Sequence, residues 1–172
     1  KTGTLTEGGP QISKMVFANK YSQEEVMQLA ASLDQHSSNI VGKAIVAKAR
    51  SMNLKLDLAT EVKEIHGHGL TGVVLGKQIS VGQPKLLLPS WAEVNNALLV
   101  EIVINGEVAG IIGLDDPLRA ESLDTVKLLK ELGVNRVLLV SGDRRATVES
   151  IANELGITEF FAECTPTQKL AI

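Results

Sequence analysis

The stretch RVLLVSGDRRATVESIANELG, residues 136–156, joins a continuous apolar run to an amphipathic segment that ends at a glycine. The apolar run, 136–140, predicts a buried parallel strand, and residues 146–155 predict the helix that follows it. A helix over 120–132 comes before this stretch, and a short strand over 159–162 comes after it. Strands and helices that alternate at this spacing are typical of a doubly wound α/β sheet.

The chain upstream of this region has a different pattern. Ser22 and Glu25 have the spacing of a capping box, in which the serine caps the helix and the glutamate bonds back to it. A second helix is expected to begin near Ser37 or Ser38. Short alternating runs then predict strands, and the dipeptide Asn105-Gly106 predicts a hairpin between the last two of them. The predicted strands cover residues 62–65, 70–75, 78–81, 98–104 and 108–114.

Composition limits the class of protein. Hydrophobic residues make up 44% of the 172 and charged residues 22%, as in ordinary globular proteins. A net charge of −3 gives no electrostatic reason to expect a nucleic-acid partner. The single cysteine, Cys164, excludes an internal disulfide. No apolar run approaches the ~18–20 residues that cross a bilayer, so we expect no membrane insertion. Because the first residue is not Met, we expect the chain to be a piece of a longer protein.

A glycine-rich stretch, HGHGLTG at residues 66–72, contains the pattern G-x-G-x-x-G. A dinucleotide site needs a helix directly after its glycines, whereas the residues after Gly69 are β-branched and predict a strand. Two interpretations stay open: Gly67 and Gly69 let a ligand lie against bare backbone, or they form a tight turn between strands. We interpret His66 and His68 as exposed loop residues rather than metal ligands.

The beginning of the chain, Lys-Thr-Gly-Thr-Leu-Thr at residues 1–6, resembles the phosphorylation motif of P-type ATPases, Asp-Lys-Thr-Gly-Thr-Leu-Thr, without its aspartate. Further family elements follow in order along nearly the whole chain. They are Gly-His-Gly at 67–69 and Val-Gly-Gln at 81–83, which resemble the heavy-metal-transporting branch, then Asp-Pro-Leu-Arg at 116–119, Ser-Gly-Asp at 141–143 and Pro-Thr-Gln-Lys at 166–169.

The resemblance implies an α/β fold with two domains. Residues 1–7 and 114–172 would form part of a haloacid-dehalogenase-like phosphorylation domain with a Rossmann-type parallel sheet. Residues 8–113 would form an inserted α+β nucleotide-binding domain built on an antiparallel sheet. The implied function is that of an ATP-binding cytoplasmic fragment of a pump for a transition or heavy metal. Its expected partners are ATP, Mg²⁺ and the transmembrane and actuator domains of the intact pump.

The resemblance also assigns roles in phosphoryl transfer, a reaction that needs cations and fixed hydrogen-bond donors around the transferred group. The Thr2 side chain would bind phosphate, and its carbonyl would bind Mg²⁺. The Ser141 hydroxyl and the Gly142 amide would donate hydrogen bonds, and Lys169 would supply positive charge. Lys1 would lie beside the nucleophile, and Asp143 would order the site.

The residues that the resemblance implies for ATP binding depart from the heavy-metal pattern in places. They are Asn39, Gly67, His68, Gly69, Gln83, Asp116 and Arg119. Asn39 stands where that branch has an adenine-contacting histidine, and His36 is an alternative that we do not favour. Gln83 replaces an asparagine. Because an amide keeps hydrogen-bonding groups but has no ring to stack on a base, we expect ATP binding to persist but to be weak.

Two alternatives stay open from the sequence, and both lie outside transport. One is a soluble phosphatase of the haloacid-dehalogenase type, which shares the phosphorylation-domain topology. The other is a non-catalytic nucleotide-binding module. The aspartate nucleophile of the motif would precede Lys1, so we expect the 172 residues alone to be catalytically inactive. The transported cation is not specified by these residues, because the family selects its ion with transmembrane ligands.

Overall fold

A computed structural model describes residues 3–65, 69–84, 87–94, 96 and 98–172. Its strands and helices follow one another in the order β1 (Gln11–Phe17), α1 (Gln23–Asp34), α2 (Ile40–Ser51), β2 (Ala59–Ile65), β3 (Gly69–Val74), β4 (Lys77–Gly82), β5 (Leu98–Ile104), β6 (Glu107–Asp115), α3 (Ser122–Glu131), β7 (Leu138–Val140), α4 (Arg145–Leu155), β8 (Glu159–Phe161) and α5 (Pro166–Ala171).

The chain divides into two compact units. Unit 1 consists of Lys1–Gly9 together with Asp116–Ile172, and unit 2 consists of Pro10–Asp115. None of the helices in the described part of the chain has the length and apolar character needed to cross a bilayer.

Unit 2 is an antiparallel sheet covered by two helices. Its six strands lie in the order β1-β6-β5-β4-β3-β2. Two-residue turns join neighbouring strands: Leu75-Gly76 between β3 and β4, and Asn105-Gly106 between β5 and β6, all four residues having positive φ. Helix α1 packs against α2 and against β2, β3 and β4. The core between helices and sheet is aliphatic, with fully buried side chains such as Leu33, Ile45 and Ile102.

Strand β1 was not predicted, because its residues do not alternate cleanly between apolar and polar. The pairing of β1 with β6 shifts register between Ile12 and Lys14, which is the mark of a β-bulge. A bulge moves the following side chains to the opposite face, so the two-residue period is lost in the sequence. The strand nonetheless forms one edge of the sheet and pairs Gln11 with Asp115 of β6.

Both helix starts in unit 2 differ in part from the prediction. Ser22 caps α1 and accepts a hydrogen bond from the Glu25 backbone N–H at 3.1 Å, but the Glu25 carboxylate is paired with Lys77 rather than with the cap. Helix α2 begins at Ile40, later than the predicted start near Ser37 or Ser38. The reason is that the Asn39 side chain accepts from the Val41 backbone N–H at 3.0 Å and fixes the helix start there.

Unit 1 contains the parallel α/β segment that the sequence predicted. Strands β7 and β8 pair in parallel, with Leu139 opposite Phe160. Helix α4 connects them and ends at Gly156, which adopts the left-handed conformation at φ +65°. The core of this unit is small, with buried side chains from α3, β7, α4 and the segment that follows α4: Val126, Leu139, Val148, Ile151, Ala152, Leu155 and Ile157.

Candidate functional site

Unit 2 contains a cavity of about 210 Å³ at the end of the sheet where β3, β4 and β5 meet the loop between α1 and α2. Its described lining combines apolar, polar and small residues. The apolar ones are Val41, Ile65, Leu70, Val81, Leu98, Leu99 and Val100; the others are Asp34, Ser37, Asn39, Gly42, Glu64, Gly69, Gly82 and Gln83. Two of these carry acidic groups, and none of the described lining residues is lysine or arginine.

Three residues that the sequence predicted for ATP binding line this cavity: Asn39, Gly69 and Gln83. Gly67 and His68 lie outside the described residues. His36 is exposed, and the described lining of the cavity passes from Asp34 to Ser37 without it.

Gly69 occupies a position that tolerates no side chain. It is the first residue of β3 and pairs with Ile65 on one side and Gly82 on the other. Its φ is +114°, and a β-carbon built on it would lie 2.1 Å from the Val81 carbonyl oxygen. A residue other than glycine would therefore be strained by its backbone conformation and would also collide with the neighbouring strand. The structure thus gives a steric reason for a glycine at this point of the cavity wall.

Asn39 serves the fold as well as lining the cavity. Its side-chain oxygen is occupied by the N-cap bond to the Val41 N–H, and its own backbone N–H donates to the Ser37 hydroxyl at 3.1 Å. The side-chain amide nitrogen is the group of Asn39 that remains suited to a ligand acceptor. This residue therefore differs from a histidine at the same place, which would offer a ring face.

Asp34 is a cavity residue that the sequence did not single out. It is the last residue of α1, only 5% exposed, and its Oδ2 has no hydrogen-bond partner among the described residues. Burial raises the pKa of the Asp34 carboxyl from 3.8 to about 7. The sequence does contain a signal for the burial of Asp34. It lies four residues after Ala30, so it falls on the apolar face of the helix, where an acidic side chain is unexpected.

A loop in unit 1 follows the carboxyl end of β7 and contains Ser141, Gly142 and Asp143. Ser141 is buried, and its hydroxyl accepts from the Asp143 backbone N–H at 3.2 Å. The backbone is fixed to the next strand and the loop after it: the Ser141 N–H donates to the Phe161 carbonyl at 2.9 Å, and the Cys164 N–H donates to the Ser141 carbonyl at 3.0 Å. Ligands of open α/β sheets bind at this end of the strands.

Lys169 lies close to the same loop. It is on α5, which begins with a complete capping box between Thr165 and Gln168. A β-carbon built on Gly142 would lie 4.0 Å from the Lys169 Nζ and 3.3 Å from the Cys164 carbonyl oxygen. The structure therefore brings the Lys169 ammonium group beside the Gly142 backbone. Lys1 and Thr2, the other residues predicted for phosphoryl transfer, lie outside the described residues.

Asp116 and Arg119 bind the N-terminal segment of unit 1. The Asp116 carboxylate accepts from the Thr6 hydroxyl at 2.5 Å through one oxygen and from the Gly8 backbone N–H at 3.0 Å through the other. The Arg119 Nε donates to the Thr6 carbonyl at 3.1 Å, and its Nη2 donates to the Gly3 carbonyl at 3.4 Å. Both residues were predicted as ATP ligands, and that role stays a prediction. The contacts that the structure shows hold residues 3–8 in place.

The described residues contain no group of three or more His, Cys, Asp or Glu side chains arranged to hold a metal ion. The predicted Mg²⁺ contact, the Thr2 carbonyl, lies outside the described part of the chain.

The chain matches a known protein family over almost its whole length. Residues 1–171 match the family of haloacid dehalogenase-like hydrolases. The chain belongs to the haloacid dehalogenase-like hydrolases. Within that family it is similar to P-type ATPases that transport heavy metals. It is 34% identical to the copper-exporting P-type ATPase B of Archaeoglobus fulgidus, over 98% of this chain and 26% of that protein. The chain thus spans about a quarter of the length of this curated relative.

This haloacid dehalogenase-like chain is also similar to solved structures of P-type ATPases. A zinc-transporting PIB-type ATPase in its E2·Pi state matches with a TM-score of 0.86 and 31% identity, over 99% of this chain and 29% of that one. The catalytic domain of the CPx-ATPase CopB-B, solved in a study of nucleotide binding, matches with a TM-score of 0.73 and 29% identity, over 99% of this chain and 62% of that one. The predicted fold class, a phosphorylation-type α/β domain with an antiparallel nucleotide-domain sheet, is confirmed.

Proposed function

We propose that this chain binds ATP in the cavity of unit 2 and is the cytoplasmic catalytic part of a P-type ATPase that moves a transition or heavy metal across a membrane. The observation that carries the proposal is the convergence of Asn39, Gly69 and Gln83 on one cavity. These residues come from three separate segments of the sequence. The similarity to copper and zinc pumps supports the same function.

The cavity is suited to the base of the nucleotide. Its volume of about 210 Å³ is below the roughly 300–1,000 Å³ of sites that enclose a whole drug-sized ligand, so it holds only part of ATP. The acidic groups of Asp34 and Glu64 disfavour a polyphosphate, whereas the aliphatic side chains can pack on the faces of a purine ring. We infer that the adenine enters the cavity and that the triphosphate extends out of it.

Residues of unit 1 have the chemistry for phosphoryl transfer. The Ser141 hydroxyl and the Gly142 N–H are hydrogen-bond donors at the carboxyl end of β7, and the Lys169 ammonium group lies beside them. Such an arrangement stabilises the charge on a transferring phosphoryl group. Asp143 would order the loop, since its carbonyl accepts from the Glu163 N–H at 2.9 Å. Asp116 and Arg119 would position the phosphorylation motif through their contacts with residues 3–8, and their predicted role as ATP ligands remains part of the proposal.

In the intact pump we propose an aspartyl-phosphate intermediate, formed on a carboxylate next to Lys1 and coupled to cation movement by transmembrane and actuator domains. The 172 residues include no aspartate adjoining the motif at 1–6. A polypeptide of these residues alone is therefore expected to bind ATP without hydrolysing it.

The binding proposal is tested by titrating the 172-residue chain with ATP and following its backbone amides by NMR. We expect shifts at Asn39, Gly69 and Gln83, with a dissociation constant on the order of millimolar. Inorganic tripolyphosphate, which lacks the base, should leave these amides unchanged. Absence of any shift at these residues in millimolar ATP would contradict the proposal.

A matched pair of glycine variants locates the site. Gly69→Ala and Gly76→Ala both replace a glycine of positive φ, at +114° and +74°, but only Gly69 lines the cavity and only its β-carbon meets a neighbour. We expect Gly69→Ala to abolish the ATP-induced shifts and Gly76→Ala to keep them. Gln83→Leu, a change at an exposed residue, tests the same cavity if Gly69→Ala does not fold.

A further inference from the structure

The chain between β4 and β5 crosses the face of the sheet opposite the helices. Ala92 and Val94 of this connection are each 6% exposed and pack against Ile111 of β6. Ile112, the next residue of β6, belongs instead to the core beneath α1 and α2. Because successive side chains of a strand point to opposite faces, Ala92 and Val94 cover the face of the sheet that the helices do not.

Asn96 continues the alternation of Ala92 and Val94 with a polar side chain. A β-carbon built on Gly113 of β6 would lie 2.1 Å from the Asn96 Oδ1 and 2.9 Å from the Val94 Cγ1. Both side chains therefore lie over the bare backbone of Gly113, and the asparagine occupies a place where the pattern favours an apolar residue. A residue that breaks its local pattern in this way indicates a functional constraint.

The Asn96 amide joins three separate segments of unit 2. Its Nδ2 donates to the Ser13 hydroxyl at 2.6 Å and to the Asp115 carboxylate. The Ser13 hydroxyl donates in turn to the Asp115 Oδ2 at 2.7 Å. Hydrogen bonds to an ionised carboxylate are stronger than those between neutral groups. We call this group of Ser13, Asn96 and Asp115 the clasp, and it ties the start of β5 to β1 and to the last residue of β6.

The bulge of β1 is what brings Ser13 into the clasp. The pairing of β1 with β6 shifts register between Ile12 and Lys14, so Ser13 is the extra residue. A bulge turns the side chain of the extra residue away from the position it would have in a regular strand. The irregularity in β1 therefore serves the hydrogen bonds of the clasp.

The clasp lies directly beside the wall of the cavity. The ladder between β5 and β6 begins where Leu98 pairs with Leu114. Asn96 comes two residues before Leu98, and Asp115 follows Leu114, so the clasp closes the ladder at this end. Leu98 and Leu99 line the cavity, whereas no clasp residue is among its described lining residues. Because the ends of strands open at low free energy, side-chain bonds at such an end determine how firmly the wall is held.

We propose that the clasp couples the cavity to the end of β6. Asn96 acts as a positioning residue that holds Leu98 in the cavity wall, and a nucleotide packed against Leu98 in turn favours the closed clasp. The inference rests on the proposed binding of ATP in unit 2. Coupling between two sites is reciprocal, so opening the clasp weakens ATP binding by the same factor by which ATP stabilises the clasp.

The clasp includes the last residue of unit 2, Asp115. The next residue, Asp116, accepts hydrogen bonds from the Thr6 hydroxyl and the Gly8 N–H of unit 1. Two adjacent carboxylates are thus fastened, one by residues of unit 2 and the other by residues of unit 1. Occupation of the cavity therefore affects the point at which the chain leaves unit 2.

The test is NMR titration of the 172-residue chain with ATP, in the wild-type form and in two variants. Asn96→Ala removes the amide that donates to both other members of the clasp. Val94→Ala is the matched control, because it truncates the neighbouring side chain of the same segment and keeps the clasp. In the wild-type chain we expect the amides of Ser13 and Asp115 to shift with the same midpoint as the amides of the cavity.

The variants should differ in both affinity and shifts. Asn96→Ala should raise the ATP dissociation constant about five- to tenfold and abolish the shift at Asp115, while the cavity amides still shift at higher ATP concentration. A general loss of stability would not remove the Asp115 shift selectively. Val94→Ala should keep both the affinity and the shifts. Ser13→Ala, a change at an exposed residue, should reduce the affinity by a smaller factor, and it serves if Asn96→Ala does not fold.

The outcomes separate this inference from the proposed function. If ATP binds the wild-type chain without shifts at Ser13 and Asp115, or binds Asn96→Ala as tightly as the wild type, the coupling is wrong and ATP binding stands. The coupling is also wrong if Val94→Ala weakens ATP binding as much as Asn96→Ala, since the loss then follows packing alone. If millimolar ATP shifts no amide of the cavity in the wild-type chain, the proposed function is wrong and the coupling is overturned with it.

Discussion

At the scale of single residues, Asp34 links the stability of unit 2 to pH. In an unfolded chain its carboxyl has the ordinary pKa of 3.8, whereas burial in the native state raises the pKa to about 7. Between these values the folded state binds more protons than the unfolded one. The contribution of Asp34 to the free energy of unfolding is therefore fully present below pH 4 and is lost as the pH rises through about 7.

We expect Asp34→Asn to remove this dependence. Relative to the variant, the wild-type chain should lose about 2–3 kcal/mol of unfolding free energy between pH 5 and pH 8. Urea denaturation at the two values measures the difference. Glu64→Gln is the control, since Glu64 lines the same cavity but is exposed. Parallel pH profiles for the wild-type chain and Asp34→Asn would show that the carboxyl ionises in the folded state as it does in water.

At the scale of secondary structure, the start of α2 combines a cap with the proposed contact to ATP, and two substitutions at Asn39 separate these roles. Asn39→Asp keeps the oxygen that accepts from the Val41 N–H, but it removes the amide donor and adds charge to an acidic cavity. We expect unchanged stability and ATP affinity reduced several-fold. Asn39→Ala loses the cap and should cost about 1 kcal/mol in urea denaturation. Equal ATP affinity for Asn39→Asp and the wild-type chain would exclude the side chain from binding.

The two tight turns of the sheet make a second comparison between elements. Leu75 and Asn105 both precede a glycine and both have positive φ, +49° and +50°. Asparagine suits this conformation, and the Asn105 side chain also accepts from the Gln78 N–H at 2.9 Å, whereas leucine is strained there.

We therefore expect Leu75→Asn to stabilise unit 2 by about 0.5–1 kcal/mol, because it relieves that strain at an exposed turn. The reverse change at the other turn, Asn105→Leu, should destabilise it by at least as much. Urea denaturation of the two variants gives both values. A loss of stability in Leu75→Asn would mean that the leucine side chain makes a contact that stabilises unit 2 by more than the strain destabilises it.

These elements also show how far a sequence predicts a structure. The Asn105-Gly106 turn was predicted because its signal is local, and β1 was missed because its bulge erases the local period. The same holds for the site. Local motifs singled out Ser141 and Lys169, but the contacts of Asp116 with Thr6 span 110 positions, so no neighbouring residue could reveal them. Asp34 was missed because burial depends on strands that come later in the chain.

At the scale of the whole chain, the two units have separate hydrophobic cores, and their stabilities should be separable. Ile102→Ala in unit 2 and Leu155→Ala in unit 1 each remove a buried side chain and should cost about 2–5 kcal/mol. The single tryptophan, Trp91, belongs to unit 2, so its fluorescence reports that unit alone.

In urea we expect Ile102→Ala to lower the midpoint of the Trp91 fluorescence transition, and Leu155→Ala to leave that midpoint unchanged. Circular dichroism follows both units. The urea transition that it reports should broaden or split into two steps in Leu155→Ala. If instead both variants shift fluorescence and circular dichroism together, the units unfold as one cooperative body.

The pairing of Gln11 with Asp115 has a consequence for how such a chain can arise. The backbone enters unit 2 and leaves it on neighbouring strands, and a bridge between Thr6 and Leu118 continues the adjacency inside unit 1. The two ends of residues 10–115 are therefore neighbours in space. A gene segment coding for these residues can be gained, lost or exchanged in one recombination event, because the chain on either side of it can be joined directly. The two units can in this way evolve as separate modules within one reading frame.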